Sequence, residues 1–252
     1  MLAHAAVAVL ILSLVYPRLA HARQRALLRW WSAKLLRILN VAARVHGPPP
    51  AKRERGAMIA ANHVSWLDIF LICSVRPTRF IAKAEIRDWG LVGWIVERSG
   101  TLFIRRDQLR DTARINGIVH AALAQADCVG LFPEGVTTEG DVLLRFHAAL
   151  FEPAVANEAH IHAAAIRYGK ADGSLCREAS FRGERTFMES LRLIIAEPRI
   201  VADIRFAPAF EADGAHRRDV ARKAHERVAT LLGLAPGDSA PRTAGGPRAA
   251  SR

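Results

Sequence analysis

The chain has 252 residues, a formal net charge of +12 and a composition that is 51% hydrophobic and 7% aromatic. That supports one domain of ordinary size with a substantial core and excludes a disordered or collagen-like polymer. Three cysteines, Cys73, Cys128 and Cys176, are odd in number and far apart, which excludes a disulfide framework and a paired-cysteine metal or redox site.

The chain opens on an apolar run, Met1 to Tyr16, broken only by His4 and Ser13 and followed by Arg18, Arg23, Arg25 and Arg29. A spanning helix needs about 20 apolar residues, so this run is expected to dip into a bilayer or to cross it under strain. Ala20-His21-Ala22 has the small-x-small form of a signal-peptide cleavage site, but no lysine or arginine precedes the apolar run, so an uncleaved anchor is expected. The basic residues after it place the rest of the chain on the cytoplasmic side of an inner membrane.

The next segment, Ala22 to Val45, is predicted as one amphipathic helix. Leu27, Leu28, Trp31, Leu35, Ile38, Leu39, Ala42 and Val45 share one side at helical spacing, and Arg25, Arg29, Arg37 and Arg44 the other. A basic helix with tryptophans suits an anionic membrane surface; packing on the protein's own core is the alternative. Gly47-Pro48-Pro49-Pro50 ends it. Residues 1–46 are thus expected to form a membrane-attachment segment, 51–234 one globular domain, and 235–252, rich in Pro, Gly, Ala and Arg, a disordered tail. Met1 to Arg55 holds ten basic residues and one acid, and Pro241 to Arg252 three arginines and no acid, which leaves the domain between them neutral. A nucleic-acid binder carries its basic patch on the folded domain, so a membrane surface rather than nucleic acid is the expected partner.

Within the domain, Ala57 to Ala61 is a short apolar strand, followed by Asn62-His63-Val64-Ser65-Trp66-Leu67-Asp68 and a helix over Trp66 to Val75. Histidine is suited to general-base work near neutral pH, and a carboxylate on its other ring nitrogen fixes the tautomer and stabilises the imidazolium. Five residues on one helix would leave His63 and Asp68 about 140° apart, so they meet only if His63 lies in the loop and Asp68 in the first helical turn. Ser65-x-x-Asp68 is also a capping-box pattern, and a purely structural role for Asp68 is equally open here.

A strand over Arg79 to Ala82 comes next, then one over Thr101 to Ile104 that delivers Arg106 to the sheet edge, where a guanidinium fork suits a phosphate. A solvated strand-end arginine is the alternative. A helix follows over Leu109 to Ala126, then a buried strand from Val129 to Phe132 that stops at Pro133. The turn after it fixes the Glu134 carboxylate beside Gly135, which leaves room for close approach of a ligand. The last elements are strands over Ile161 to Ile166 and Val201 to Phe206 and a helix over His216 to Leu232. Such alternation predicts an α/β layer architecture. His160 and His162 share a strand face but lack further ligands at metal spacing, so no metal is expected.

The stretch from His63 to Asp68 resembles the HxxxxD motif of the glycerolipid acyltransferases, in particular the 1-acylglycerol-3-phosphate acyltransferases. Gly100-Thr101-Leu102-Phe103-Ile104-Arg105-Arg106 is similar to their second block, and Phe132-Pro133-Glu134-Gly135 matches their third letter for letter. The resemblance covers roughly Gly56 to Tyr168. It implies a central mixed sheet flanked by helices, with His63 and Asp68 as the catalytic pair. Arg106, Glu134, Asn62 and Gly135 would form the acceptor site, Glu134 bonding a glycerol hydroxyl or the arginine. It further implies an acyl thioester donor, acyl-CoA or acyl carrier protein, a membrane lipid acceptor such as 1-acylglycerol-3-phosphate, phosphatidic acid as product, and no metal or cofactor. Where many members have threonine-arginine after the glycine, this chain has Val136-Thr137, which opens the alternative of a lyso-aminolipid acceptor. The strand bearing Tyr168 has only a loose counterpart in the family's fourth block and receives no role.

Overall fold

The structure, a computed structural model, describes residues 16–52, 54, 56–83, 101–104, 109–125, 127–183 and 185–234. Arg106, the apolar run as far as Val15 and the tail from Ala235 lie outside the described residues.

Among the described residues, eight strands form one sheet: β1 (Val41–His46), β2 (Ala57–Ala61), β3 (Thr78–Lys83), β4 (Leu102–Ile104), β5 (Cys128–Leu131), β6 (His160–Gly169), β7 (Ile200–Phe206) and β8 (Phe210–Glu211). Their order is β1-β7-β6-β2-β5-β3-β4, with β8 beside β6. From β6 to β4 the neighbours are parallel, and β7 joins β6 antiparallel, so the sheet is mixed. The helices that flank it are α1 (His21–Ile38), α2 (Leu67–Val75), α3 (Leu109–Ala124), α4 (Glu152–Ala156), α5 (Phe187–Ala196) and α6 (Arg217–Leu232).

β2 is buried along its whole length, as a central parallel strand covered on both faces must be. Its residues alternate between two cores. Ala57, Ile59 and Ala61 join Leu36 of α1, Leu71 of α2 and Ile194 of α5, whereas Met58 and Ala60 join Val119 of α3, Ala154 of α4 and Ala224 and Val228 of α6. Helices α1, α2 and α5 therefore cover one face, and α3, α4 and α6 the other.

The amino-terminal segment departs from expectation. The helix predicted over Ala22 to Val45 ends at Ile38, and Val41 to His46 is instead a strand paired in parallel with β7 from Val41↔Ile200 to His46↔Arg205. Asn40 makes the break with φ of 54°, a left-handed conformation that asparagine tolerates, and its carbonyl accepts from Ile200 N–H at 3.1 Å. The alanine- and arginine-rich stretch favours helix locally, but the open edge of β7 supplies a ladder of backbone hydrogen bonds that overrides propensity. β1 belongs to the same sheet as the strands after Ala51. Gly47 then lets the chain leave, with φ of 74° and an ideal Cβ position only 2.1 Å from the Phe206 carbonyl oxygen.

α1 packs inward through Leu28, Ser32, Leu35 and Leu36, and Leu39, its C-cap, is buried in the same core. Arg25 and Arg29, expected on the solvent side, face the domain: Arg25 reaches Asp127 at 3.4 Å beside an Arg79–Asp127 pair at 2.9 Å, and Arg29 Nε donates to the Ser74 carbonyl at 3.1 Å. Trp30 and Ile38 are exposed, and Lys34 lies over the Trp30 ring at 4.9 Å. No helix among the described residues is long and apolar enough to cross a membrane.

Candidate active site

The parallel strands β2 and β5 are neighbours, so the loops leaving their carboxyl ends converge. Ligand sites of open α/β sheets form at that end. The loop after β2 carries Asn62, His63, Val64 and Ser65 into α2; the one after β5 carries Phe132, Pro133, Glu134 and Gly135.

His63 and Asp68 meet as the loop-then-helix geometry requires, with His63 Nδ1 2.8 Å from Asp68 Oδ2. Asp68 is fully buried. The same Oδ2 accepts from Val64 N–H at 2.8 Å and Ser65 N–H at 2.9 Å, and Oδ1 accepts from the Tyr168 hydroxyl at 2.6 Å. The capping and the histidine-orienting roles of Asp68 are thus compatible: the carboxylate that ties down the helix entry also binds the imidazole. Ser65 Oγ adds an acceptor for Leu67 N–H at 3.3 Å.

The backbone of His63, Val64 and Ser65 is held at every polar group. His63 N–H donates to Glu134 Oε1 and the His63 carbonyl accepts from Thr138 N–H, both at 2.8 Å. The Val64 carbonyl accepts from Phe181 N–H at 2.8 Å, and the Ser65 carbonyl from Asp68 N–H at 3.1 Å. A segment with its hydrogen bonds so fully assigned holds its side chains in fixed directions. The His63 ring stacks on Phe132 at 4.0 Å, which stacks in turn on Phe80 at 5.3 Å. The histidine side chain is 21% exposed, and its Nε2 has no hydrogen bond to the described residues.

Asn62 is buried and faces away from the histidine. Its side chain clamps β6, accepting from Ile166 N–H at 2.7 Å and donating to the Ile166 carbonyl at 2.9 Å. Glu134 is also buried, and both of its oxygens are committed, one to His63 N–H and the other to Leu144 N–H at 2.8 Å. It braces the loop that carries His63, each oxygen taking one backbone N–H. Gly135 is half-buried with φ of 78°, the conformation that closes the turn through its N–H on the Phe132 carbonyl. Arg106, outside the described residues, receives no position.

Burial pushes the Glu134 carboxyl up to about 7, against the downward pull of the two backbone donors. A raised folded value means that the folded protein binds a proton more tightly than the unfolded chain. The stability it contributes is complete below the ordinary carboxyl range and is lost as pH rises through about 7. Glu134→Gln removes this titration. Urea melts from pH 5 to 8 are expected to show wild type losing stability relative to the variant as pH rises. Parallel curves would show that Glu134 does not titrate in this range.

The histidine pair at the opposite, amino-terminal end of β6 is separate from this site. His160 Nδ1 and His162 Nε2 both lie on Glu54 Oε1, at 3.1 and 2.7 Å. No group among the described residues is suited to hold a metal ion.

The arrangement suits general-base work by His63, and among the described residues neither Ser65 nor a cysteine is placed as a nucleophile. Ser65 is fully buried and bonded into the helix entry. Burial raises the Cys73 thiol to about 12 and those of Cys128 and Cys176 to about 11, far from the thiolate form. His63 Nε2 remains as the group able to take a proton from an incoming hydroxyl.

The chain is similar to known acyltransferases. The acyltransferase family model matches residues 42–167. A lyso-ornithine lipid O-acyltransferase of Pseudomonas aeruginosa is 36% identical over 210 residues, 83% of this chain and 79% of that protein. A 1-acyl-sn-glycerol-3-phosphate acyltransferase of Neisseria meningitidis is 40% identical over 147 residues, 58% of this chain and 57% of that protein. The crystal structure of the 1-acyl-sn-glycerophosphate acyltransferase PlsC from Thermotoga maritima superposes with a TM-score of 0.60 at 18% identity, covering 83% of this chain and 78% of that one, a likeness of fold.

Proposed function

The chain belongs to the acyltransferase family and is a lyso-lipid acyltransferase, and we propose that its acceptor is the free hydroxyl of a lyso-aminolipid of the lyso-ornithine kind. The observation that carries this choice is the turn after Glu134-Gly135. It presents Val136, 49% exposed, and Thr137, whose hydroxyl is bonded to the Phe181 carbonyl, where an acceptor phosphate would call for a guanidinium. Similarity to the Pseudomonas lyso-ornithine lipid enzyme also extends over most of the chain. Lysophosphatidate is the second reading, favoured by the higher identity to the Neisseria enzyme over the central segment.

In the proposed reaction the hydroxyl oxygen attacks the carbonyl carbon of an acyl thioester, acyl-CoA or acyl carrier protein, while His63 Nε2 takes the hydroxyl proton. As the carbon–sulfur bond breaks, that proton passes to the departing sulfur. Asp68 holds Nδ1 and balances the imidazolium, with no covalent enzyme intermediate and no metal. The acceptor is taken from a bilayer on the cytoplasmic side. The face carrying α1 and α5 suits that contact: Trp30 and Ile38 on α1, and Met188 and Ile195 flanking Arg192 on α5, are exposed.

Purified protein in detergent, given a radiolabelled acyl thioester, is expected to label lyso-ornithine lipid faster than lysophosphatidate. Labelled phosphatidic acid as the main product would transfer the assignment to the second reading. Release of free fatty acid alone would mark a thioester hydrolase and overturn both.

A further inference from the structure

We infer that Tyr168 is a positioning residue of the catalytic pair, fixing the Asp68 carboxylate from the side opposite His63; the inference rests on His63 and Asp68 being the base and its orienting acid. Three donors crowd one oxygen of Asp68: His63 Nδ1, Val64 N–H and Ser65 N–H. All three belong to the same short loop, so they hold the carboxylate only as firmly as the loop itself is held. The fourth donor, the Tyr168 hydroxyl, comes from β6 and takes the other oxygen at 2.6 Å. It is the contact among the described residues that fixes the second carboxylate oxygen to the sheet, and so resists rotation about the Cβ–Cγ bond. Such rotation would bring Oδ1 toward the imidazole in place of Oδ2 and tilt the base.

The placement of Tyr168 is itself specified. Residues two apart on a strand share a face, so Ile166 and Tyr168 move together. Ile166 is fixed by the two hydrogen bonds from Asn62, the residue immediately before His63. On its far edge β6 is held by β7, Ile166↔Ile204 and Tyr168↔Ala202. A one-residue slip of β6 would break the Asn62 clamp and turn Tyr168 to the other face. Tyr168 is 1% exposed, and a buried hydroxyl needs a partner whatever its purpose, so satisfaction of Tyr168 alone is the competing account.

The two accounts separate in a double-mutant cycle on kcat. Tyr168→Phe keeps the ring and deletes the donor. With whichever lyso-lipid the enzyme accepts, it is expected to lower kcat about 10-fold, the scale of one charge-assisted hydrogen bond, with KM within about two-fold. In an Asp68→Asn background the same change is expected to cost less than about two-fold, because the carboxylate it positions is gone. Equal losses in both backgrounds, or no loss in the first, would overturn the inference. A readout that needs no turnover is the His63 Nδ1–H proton resonance, expected to broaden through faster exchange with water in Tyr168→Phe. A wild type inactive on every lyso-lipid would overturn the functional reading, and an unchanged resonance would still count separately against the role of Tyr168.

Discussion

Replacing His63 by alanine is expected to lower kcat for acyl transfer by about 10²–10⁴-fold while leaving the protein folded, the range that general-base catalysis contributes. Among the described residues the side chain makes one hydrogen bond, to Asp68, and one ring stack, on Phe132, and it is partly exposed, so its removal creates no sealed cavity. The bonds that shape the loop belong to its backbone: the N–H to Glu134 and the carbonyl to Thr138 survive the substitution. KM for both substrates is therefore expected to stay within a few-fold, since the loss falls on proton removal rather than on binding. Single-turnover assays on the wild type and the variant, with melting curves as a control for folding, check the result. Transfer by His63→Ala at the wild-type rate would show that another group takes the proton.

The parts of this site that a sequence discloses are those fixed by local geometry. His63 and Asp68 lie five residues apart, and the requirement for a loop-to-helix break between them follows from helical pitch alone. The turn at Pro133-Glu134-Gly135 is equally legible, because proline and glycine restrict the backbone wherever they stand. The partner of Glu134 is not. Its bond to His63 N–H spans 71 residues and depends on β2 and β5 lying side by side. Tyr168 is hidden for the same reason, its partner being 100 residues away. The strand Val41–His46 reads as helix because its alanines and arginine favour that state, and only the distant edge of β7 makes an extended conformation better. Helix α5 differs, since it has a local signal: Thr186-x-x-Glu189 before an apolar run is a capping box, and the structure shows both of its reciprocal bonds. On α1 the helical period is legible but the inward face is not, because Arg25 is turned toward the domain by an acid more than a hundred residues later.

Two substitutions at Asp68 are expected to separate its catalytic from its structural task. Asp68→Asn keeps the shape and an oxygen able to accept from His63, Val64 and Ser65, and the Tyr168 hydroxyl can turn to accept from the new amide. What it removes is the negative charge that balances the imidazolium formed when His63 takes its proton. Activity is expected to fall about 10²–10⁴-fold, a scale seen when the acid of a serine-protease triad becomes an amide, with a melting temperature near that of wild type. Asp68→Ala deletes the acceptor altogether and leaves the Val64 and Ser65 N–H groups and the Tyr168 hydroxyl buried without it. Each orphaned buried donor costs about 1–3 kcal/mol, so this variant is expected to lose several kcal/mol of stability in urea melts in addition to its activity. The contrast follows from one carboxylate binding both the helix entry and the His63 imidazole. If Asp68→Asn were as unstable as Asp68→Ala, the negative charge itself would be part of what holds the loop. If Asp68→Asn kept full activity, the imidazolium would have no need of a balancing charge, and His63 would act as a base on its tautomer alone.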